Sequence, residues 1–227
     1  MTDSPSPLPE AAPRGGRLLS AAELLLGAGL VLGHNVWRLL PNEVPVLFVL
    51  GLASYRLRNG GFSTIGFQRP PSWTRLLAIA LGAAALRIAL GIVVEPLAES
   101  VWPPIVAPAG TEAIASNPWT ALRWLGLVWT WAAFGEEIGY RGWILGRAAD
   151  ALGRSPAALA FAVIASSVLF GFGHFYKGPA GILDSGLAGL VLASAFLLAR
   201  RNLWAPILAH GFIDTFGIAA LFFGWAD

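Results

Sequence analysis

The sequence predicts an all-α protein, a polytopic bundle of about seven transmembrane helices. Hydrophobic residues make up 56% of the 227 residues and charged residues only 12%, which is about half the charged share of an ordinary soluble domain. The apolar residues come in long blocks, and a helix needs about 20 mostly apolar residues to cross a bilayer. A soluble protein with an unusually large core is disfavoured, because the deficit of charge extends over the whole length.

Seven apolar blocks are the predicted spans. The second has about a dozen residues and is therefore tilted, re-entrant or interfacial unless it crosses fully. Tryptophans stand near several predicted ends, as in the aromatic belts of membrane interfaces. The blocks cover residues 17–37, 44–55, 73–94, 119–134, 157–173, 181–199 and 203–223.

Residues 1–16 differ in composition from the rest of the chain. The segment MTDSPSPLPEAAPRGG is rich in proline, glycine and serine, which predicts a disordered cytoplasmic tail. Residues 17–227 then form a single integral-membrane domain without internal repeats. The absence of cysteine excludes disulfides and thiol catalysis, and a net charge of +2 is too small to indicate a nucleic-acid partner.

The placement of arginine predicts the orientation in the membrane. Arginines precede the first block and follow the second, fourth and sixth, whereas 95–118 carries glutamates and no Lys or Arg. The positive-inside rule then places the N-terminus in the cytoplasm and the C-terminus outside, in a plasma (inner) membrane.

Two adjacent glutamates and an arginine follow the fourth block, in GEEIGYRGW at 135–143. A charge at mid-bilayer costs about 2.5–3.5 kcal/mol, so such residues are expected to be paired or functional. Glu137 and Arg141 are four residues apart and can form an ion pair on one helix face. Glu136 is rotated by about 100° and has no partner in the motif, which makes it a candidate general base. Alternatively the helix ends near Phe134 and the charges are interfacial.

Two histidines and an aspartate stand in later apolar blocks. His174 ends the fifth block, where a lone histidine is more often a hydrogen-bonded packing residue. His210 and Asp214 lie four residues apart in the seventh block, so they face a common point and the carboxylate can orient the imidazole. A polar tether between helices is the alternative interpretation of this pair.

Together these residues predict a hydrolytic site on spans four, five and seven. Two imidazoles and a carboxylate suit a divalent metal such as zinc, with an open position for water, whose proton Glu136 would then take. The same groups fit a metal-free activation of water equally well. The HExxH motif is absent, which excludes the helix of the zincin peptidases.

Three motifs follow one another over residues 136–214. They are E-E-x-x-x-R at 136–141, F-x-x-x-H at 170–174 and H-x-x-x-D at 210–214. In this order and on separate spans they resemble the CAAX protease and bacteriocin-processing (CPBP, or ABI) family of intramembrane proteases.

The resemblance implies an intramembrane endopeptidase of the glutamate or metallo type, similar to CAAX prenyl proteases. Its substrate would be a peptide or prenylated protein in the lipid bilayer. The first glutamate of the family motif activates water, which corresponds to Glu136, and the pair corresponds to Glu137 and Arg141. His174 and His210 correspond to the active-site histidines and are the candidate metal ligands.

Two further positions follow from the resemblance. Phe170 belongs to the second motif and supports it. Asp214 stands where many members have asparagine, and it adds a negative charge to the site. Because some members act in bacteriocin immunity or as scaffolds, a non-catalytic scaffold or immunity protein is the alternative. A transporter or proton relay is a third reading, which predicts a continuous polar path and often internal repeats.

The predicted depths of His174 and His210 in the membrane do not agree. At 1.5 Å per residue, His210 lies about 10 Å and His174 about 25 Å from the cytoplasmic ends of their blocks. Straight helices with these ends would keep the histidines apart. We therefore expect either a break at Gly171 and Gly173 or a re-entrant segment at 141–156.

Overall fold

The computed structural model describes residues 14–103 and 112–225, and every regular element in these ranges is helical, which confirms the all-α prediction. The α-helices are α1 (Gly16–Asn35), α2 (Val44–Arg58), α3 (Trp73–Val101), α4 (Pro118–Leu127), α5 (Leu145–Leu152), α6 (Pro156–Phe172), α7 (Gly178–Leu198) and α8 (Trp204–Phe223). Short 3-10 turns lie at Phe62–Ile65, Glu112–Ile114 and Phe175–Lys177. Of the predicted tail at 1–16, residues 1–13 lie outside the described residues.

Four of the described helices are long and apolar enough to cross a membrane. They are Gly16–Asn35, Trp73–Val101, Phe175–Leu198 and Trp204–Phe223. The helix α6 is also apolar but has 17 residues, and α2 has 15. These lengths fit an integral membrane protein, although fewer helices reach full spanning length than the seven predicted blocks.

The fourth predicted span does not end at Phe134. The helix continues from α4 through two π-helical stretches, Val128–Glu136 and Ile138–Ile144, directly into α5. We call residues 128–144 the π segment. The charged residues beyond Phe134 are buried inside the protein, with Glu137 and Arg147 0% and Arg141 1% exposed. The interpretation that the helix ends near Phe134 is therefore wrong, and protein surrounds the charges that follow.

A second polar cluster joins the N-terminal helices to the end of the π segment. The Glu23 carboxylate on α1 forms ion pairs with Arg58 at 3.0 Å and with Arg147 at 2.7 Å. It also accepts hydrogen bonds from the Ser54 hydroxyl and from Nε1 of Trp143. This cluster ties α1, α2 and α5 together and holds Trp143 at a fixed place on the helix.

The connection between α7 and α8 is buried rather than lying at the surface. Arg201, Asn202 and Leu203 are 9%, 4% and 0% exposed. The Leu203 N–H donates to the Gly66 carbonyl, and the Asn202 amide donates to the Gln68 carbonyl. The Asn202 Oδ1 accepts from the Trp204 N–H and so begins α8. The chain that leads into α8 is therefore enclosed by protein.

The expected break in the fifth span is absent. The helix α6 is unbroken up to Phe172, and residues 145–152 remain helical before the chain turns at Gly153, whose φ is +93°. The two histidines nevertheless pack near one ring, that of Phe170, so the unbroken helix does not keep them apart.

Close packing of α6 on α7 depends on Gly171. A methyl group at this position would lie 2.5 Å from the Ile182 carbonyl oxygen, far closer than van der Waals contact. We expect Gly171→Ala to lower the free energy of unfolding by about 1–3 kcal/mol. Gly29→Ala on α1 is the matched control, because a methyl group there meets no atom within 4 Å. Unfolding of both variants in detergent micelles measures the difference, and equal stability of the two would contradict the packing argument.

Candidate active site

The polar residues of the three motifs come together where the π segment, the end of α6 and the first half of α8 meet. Glu136 ends the first π-helical stretch and Arg141 lies in the second, with Glu137 between the stretches. His174 follows the last turn of α6. His210 lies in the second turn of α8.

A buried carboxylate connects two of the motifs. Oε1 of Glu137 accepts a hydrogen bond from Nη1 of Arg141 at 2.8 Å and another from Nδ1 of His210 at 2.8 Å. Arg141 also donates through Nη2 to the Gly189 carbonyl on α7 at 3.2 Å. Glu137, Arg141 and His210 are all buried. Glu137 therefore fixes the first motif to the third, and Arg141 fixes both to α7.

Hydrogen bonding to Nδ1 sets the orientation of both imidazoles. Nδ1 of His174 lies 3.0 Å from the Phe170 carbonyl oxygen, which can only accept, so this nitrogen carries the proton. Nδ1 of His210 donates to the Glu137 carboxylate in the same manner. In each ring the Nε2 atom is left for chemistry, an arrangement common where one imidazole nitrogen binds a partner and the other acts. Nε2 of His210 lies 3.5 Å from Oδ2 of Asp214.

Phe170 is the apolar centre of the cluster. Its ring centroid lies 5.0 Å from that of His174 and 6.0 Å from that of His210. Tyr140 packs edge-on against the same ring at 5.0 Å, and the Arg141 guanidinium carbon lies 4.3 Å from its centroid. One aromatic side chain thus separates the two histidines at a fixed distance and carries the arginine on its face.

The Glu136 carboxylate differs from that of Glu137 in accepting no hydrogen bond from a described residue. Its Oε2 atom is buried and has no hydrogen-bond partner among the described residues. The charged groups that act on it are those of His210, Asp214, Glu137 and Arg141. Oε2 of Glu137 is also unpartnered, but its Oε1 accepts two hydrogen bonds.

Exposure divides the cluster into two groups. Glu137, Arg141 and His210 are buried, whereas Glu136, His174 and Asp214 are half-buried. The first group is the framework of the site. The second group is partly exposed.

The sequence analysis missed two residues beside the site. Tyr176 and Lys177 follow His174 by two and three residues, and the Tyr176 phenol lies within the electrostatic influence of both Glu136 and Asp214. The Lys177 ammonium acts on Asp214 and His174. Their proximity in the chain to His174 was the available signal, together with the fact that Lys177 is the only lysine in the sequence.

The side chains of the site do not form a complete set of metal ligands. Within residues 14–103 and 112–225, no three His, Asp or Glu side chains are grouped closely enough to hold one. His174 and His210 with their outward Nε2 atoms supply two nitrogen donors, but the carboxylates do not complete a ligand set in this arrangement. We therefore assign no catalytic step to a metal.

Comparison with known proteins gives one match. The family model described as type II CAAX prenyl endopeptidase Rce1-like matches residues 118–216, a segment that contains all three motifs. No curated protein and no solved structure matches the chain. The family implies peptidase activity, and the apolar helices agree with an integral membrane protein. Residues 118–216 are therefore similar to the Rce1-like CAAX endopeptidases, which confirms the resemblance of the motifs to the CPBP family.

Proposed function

We propose that this protein is an intramembrane endopeptidase that hydrolyses a peptide bond with water activated by Glu136. The family match supports the reaction class. The observation that carries the assignment of the base is the buried Glu136 Oε2, which has no hydrogen-bond partner among the described residues and lies under the influence of His210 and Asp214. A carboxylate without a structural partner is free to exchange a proton with water.

The proposed reaction needs two proton transfers. Glu136 takes a proton from water as the water oxygen attacks the scissile carbonyl carbon, and the carbonyl electrons move to its oxygen. When the carbonyl forms again, the C–N bond breaks, and the proton held by Glu136 moves to the leaving amine nitrogen. The carboxylate is restored, and the peptide is released in two pieces.

The two histidines have different proposed roles. The Nδ1–H of His174 donates a hydrogen bond to the Phe170 carbonyl oxygen, which leaves a lone pair on Nε2. Nε2 can therefore accept a hydrogen bond from the attacking water. His210 lies between the carboxylates of Glu137 and Asp214, which favour its doubly protonated form. An imidazolium there stabilises the negative charge that develops on the carbonyl oxygen.

Two further proposals concern the substrate of this protein and its use of a metal ion. We propose a membrane-associated substrate, with prenylated CAAX peptides first among those to test, because the matched family is one of CAAX prenyl endopeptidases. A zinc-dependent version needs His174 and His210 to bind the ion through Nε2 with a further ligand brought closer. Activity assays with and without metal distinguish the two versions.

Peptide cleavage by the purified full-length protein in detergent tests the proposal. We expect hydrolysis of a prenylated CAAX peptide, and slower hydrolysis of the same peptide without the prenyl group. His174→Gln is expected to lower the rate by about 10²–10⁴-fold, as for loss of a group that positions the reacting water. Loss of activity with a chelator and recovery with zinc would indicate the metallo version. If the folded protein cleaved neither peptide, the proposal would be wrong and the scaffold function would be favoured.

A further inference from the structure

A groove runs along the outside of the protein between α3 and α7, away from the polar cluster described above. It consists of two adjoining cavities of about 140 Å³ and about 360 Å³. Both are lined by Ile79 of α3 and Leu198 of α7, so they form one continuous depression. We call it the α3–α7 groove.

One end of the α3–α7 groove is basic. Arg75 on α3 and Arg200, just after α7, line the same cavity from its two sides. Both side chains are exposed, and neither forms an ion pair with any described residue. Two unpaired guanidinium groups around one cavity are complementary to an anion, and Arg is the residue that suits phosphate best.

The remainder of the groove is apolar. Its larger cavity is lined by Ala, Ile, Leu, Val and Gly residues, and the only hydroxyl in that lining belongs to Ser194. That hydroxyl donates to the Leu190 carbonyl at 2.7 Å, so it offers no free donor to a ligand. The lining therefore suits a hydrocarbon chain.

The dimensions of the groove match one leaflet of a bilayer. From Arg75 to Leu86 the groove follows α3 for about 16 Å at 1.5 Å per residue, which is roughly half of a hydrocarbon core of about 30 Å. Trp73, which is 47% exposed, stands beside the basic end, where tryptophan marks the membrane interface. The arginines thus lie at headgroup level and the apolar part at acyl-chain level.

We propose that the α3–α7 groove binds an anionic phospholipid, with its phosphate between Arg75 and Arg200 and one acyl chain along α3. Basic pockets between transmembrane helices recognise lipid headgroups by the same combination of charge and apolar surface. Free phosphate would use the arginines alone and leave the apolar length without a function. The site involves none of the residues proposed for peptide hydrolysis.

Lipid titration of the purified full-length protein, followed by native mass spectrometry, tests this proposal. The probes are phosphatidylglycerol and phosphatidylcholine with identical acyl chains, and inorganic phosphate as a competitor. We expect preferential binding of phosphatidylglycerol. Arg75→Gln combined with Arg200→Gln is expected to lower its affinity about thirtyfold, on the basis of two surface arginines, without changing the binding of phosphatidylcholine. Arg38→Gln with Arg56→Gln removes the same charge outside the groove and is expected to have little effect.

A second pair of variants tests the apolar part without altering charge. Gly82 lines the groove, and a side chain added there meets no atom within 4 Å. We expect Gly82→Phe to fill the groove and weaken the binding of both lipids, whereas Gly29→Phe, in equally open space on α1, leaves binding intact. Equal binding of the two lipids by the natural protein would overturn the proposal. Equal losses in the groove and control variants, or full displacement of lipid by inorganic phosphate, would do so as well.

Discussion

Glu136→Gln is expected to lower the rate of peptide cleavage by about 10²–10⁴-fold, the usual contribution of a general base. Glutamine retains the size and polarity of the side chain but cannot take a proton from water. Because Oε2 of Glu136 has no hydrogen-bond partner among the described residues, the substitution breaks no bond described there. We therefore expect the melting temperature in detergent to stay unchanged while cleavage is lost.

The control for this experiment is Glu99→Gln near the end of α3, which changes the net charge equally and forms no ion pair with the described residues. It is expected to cleave peptide at the normal rate. If Glu136→Gln retained more than a tenth of the activity, the base would have to be another group, and Asp214 would be the next to test.

The Glu137–Arg141 pair is expected to show the largest effect on stability. Both side chains are buried, at 0% and 1% exposure, and removal of one partner leaves the other charge without compensation. Such a loss costs about 3–5 kcal/mol. We expect Glu137→Gln and Arg141→Met each to lower the free energy of unfolding by this amount, measured by unfolding in detergent micelles.

The double variant Glu137→Gln with Arg141→Met provides the critical comparison. Since it removes both buried charges, it is expected to be more stable than the sum of the single losses allows. Activity should nevertheless stay low, because His210 has lost the carboxylate to which its Nδ1 donates. Strictly additive losses of stability would show that the two side chains do not interact as the structure indicates.

The residues of the polar cluster could be predicted from the sequence, because charged residues are rare in apolar blocks and are usually paired or functional. The spacing of Glu137 and Arg141 was enough to indicate their ion pair. The hydrogen bond from His210 to Glu137 was not predictable, because it joins residues 73 positions apart. Nor could spacing within the motif show that the Gly189 carbonyl accepts from Arg141, since nothing in that motif specifies which helix lies opposite.

Helix ends were the least predictable feature. The prediction ended the fourth span at Phe134 because charged residues follow, whereas the structure buries those residues among protein partners. The prediction placed the start of the last helix at the membrane surface because Arg200 and Arg201 precede it. Arg200 is exposed, but Arg201 is only 9% exposed because protein surrounds it. Composition shows that a segment is polar, but it does not show whether water or protein provides the hydrogen-bond partners of its polar groups.

The π segment has a consequence for how this protein can change in evolution. Near its start, Nε1 of Trp129 donates to Thr215 on α8, and near its end Trp143 donates to Glu23 on α1. Both attachments fix the number of residues between them, and loss of one residue would turn Glu136 out of register with one attachment. Wide π turns often accompany functional sites. Relatives are therefore expected to vary in side chains such as the exposed Trp131, but to tolerate neither insertion nor deletion in this stretch.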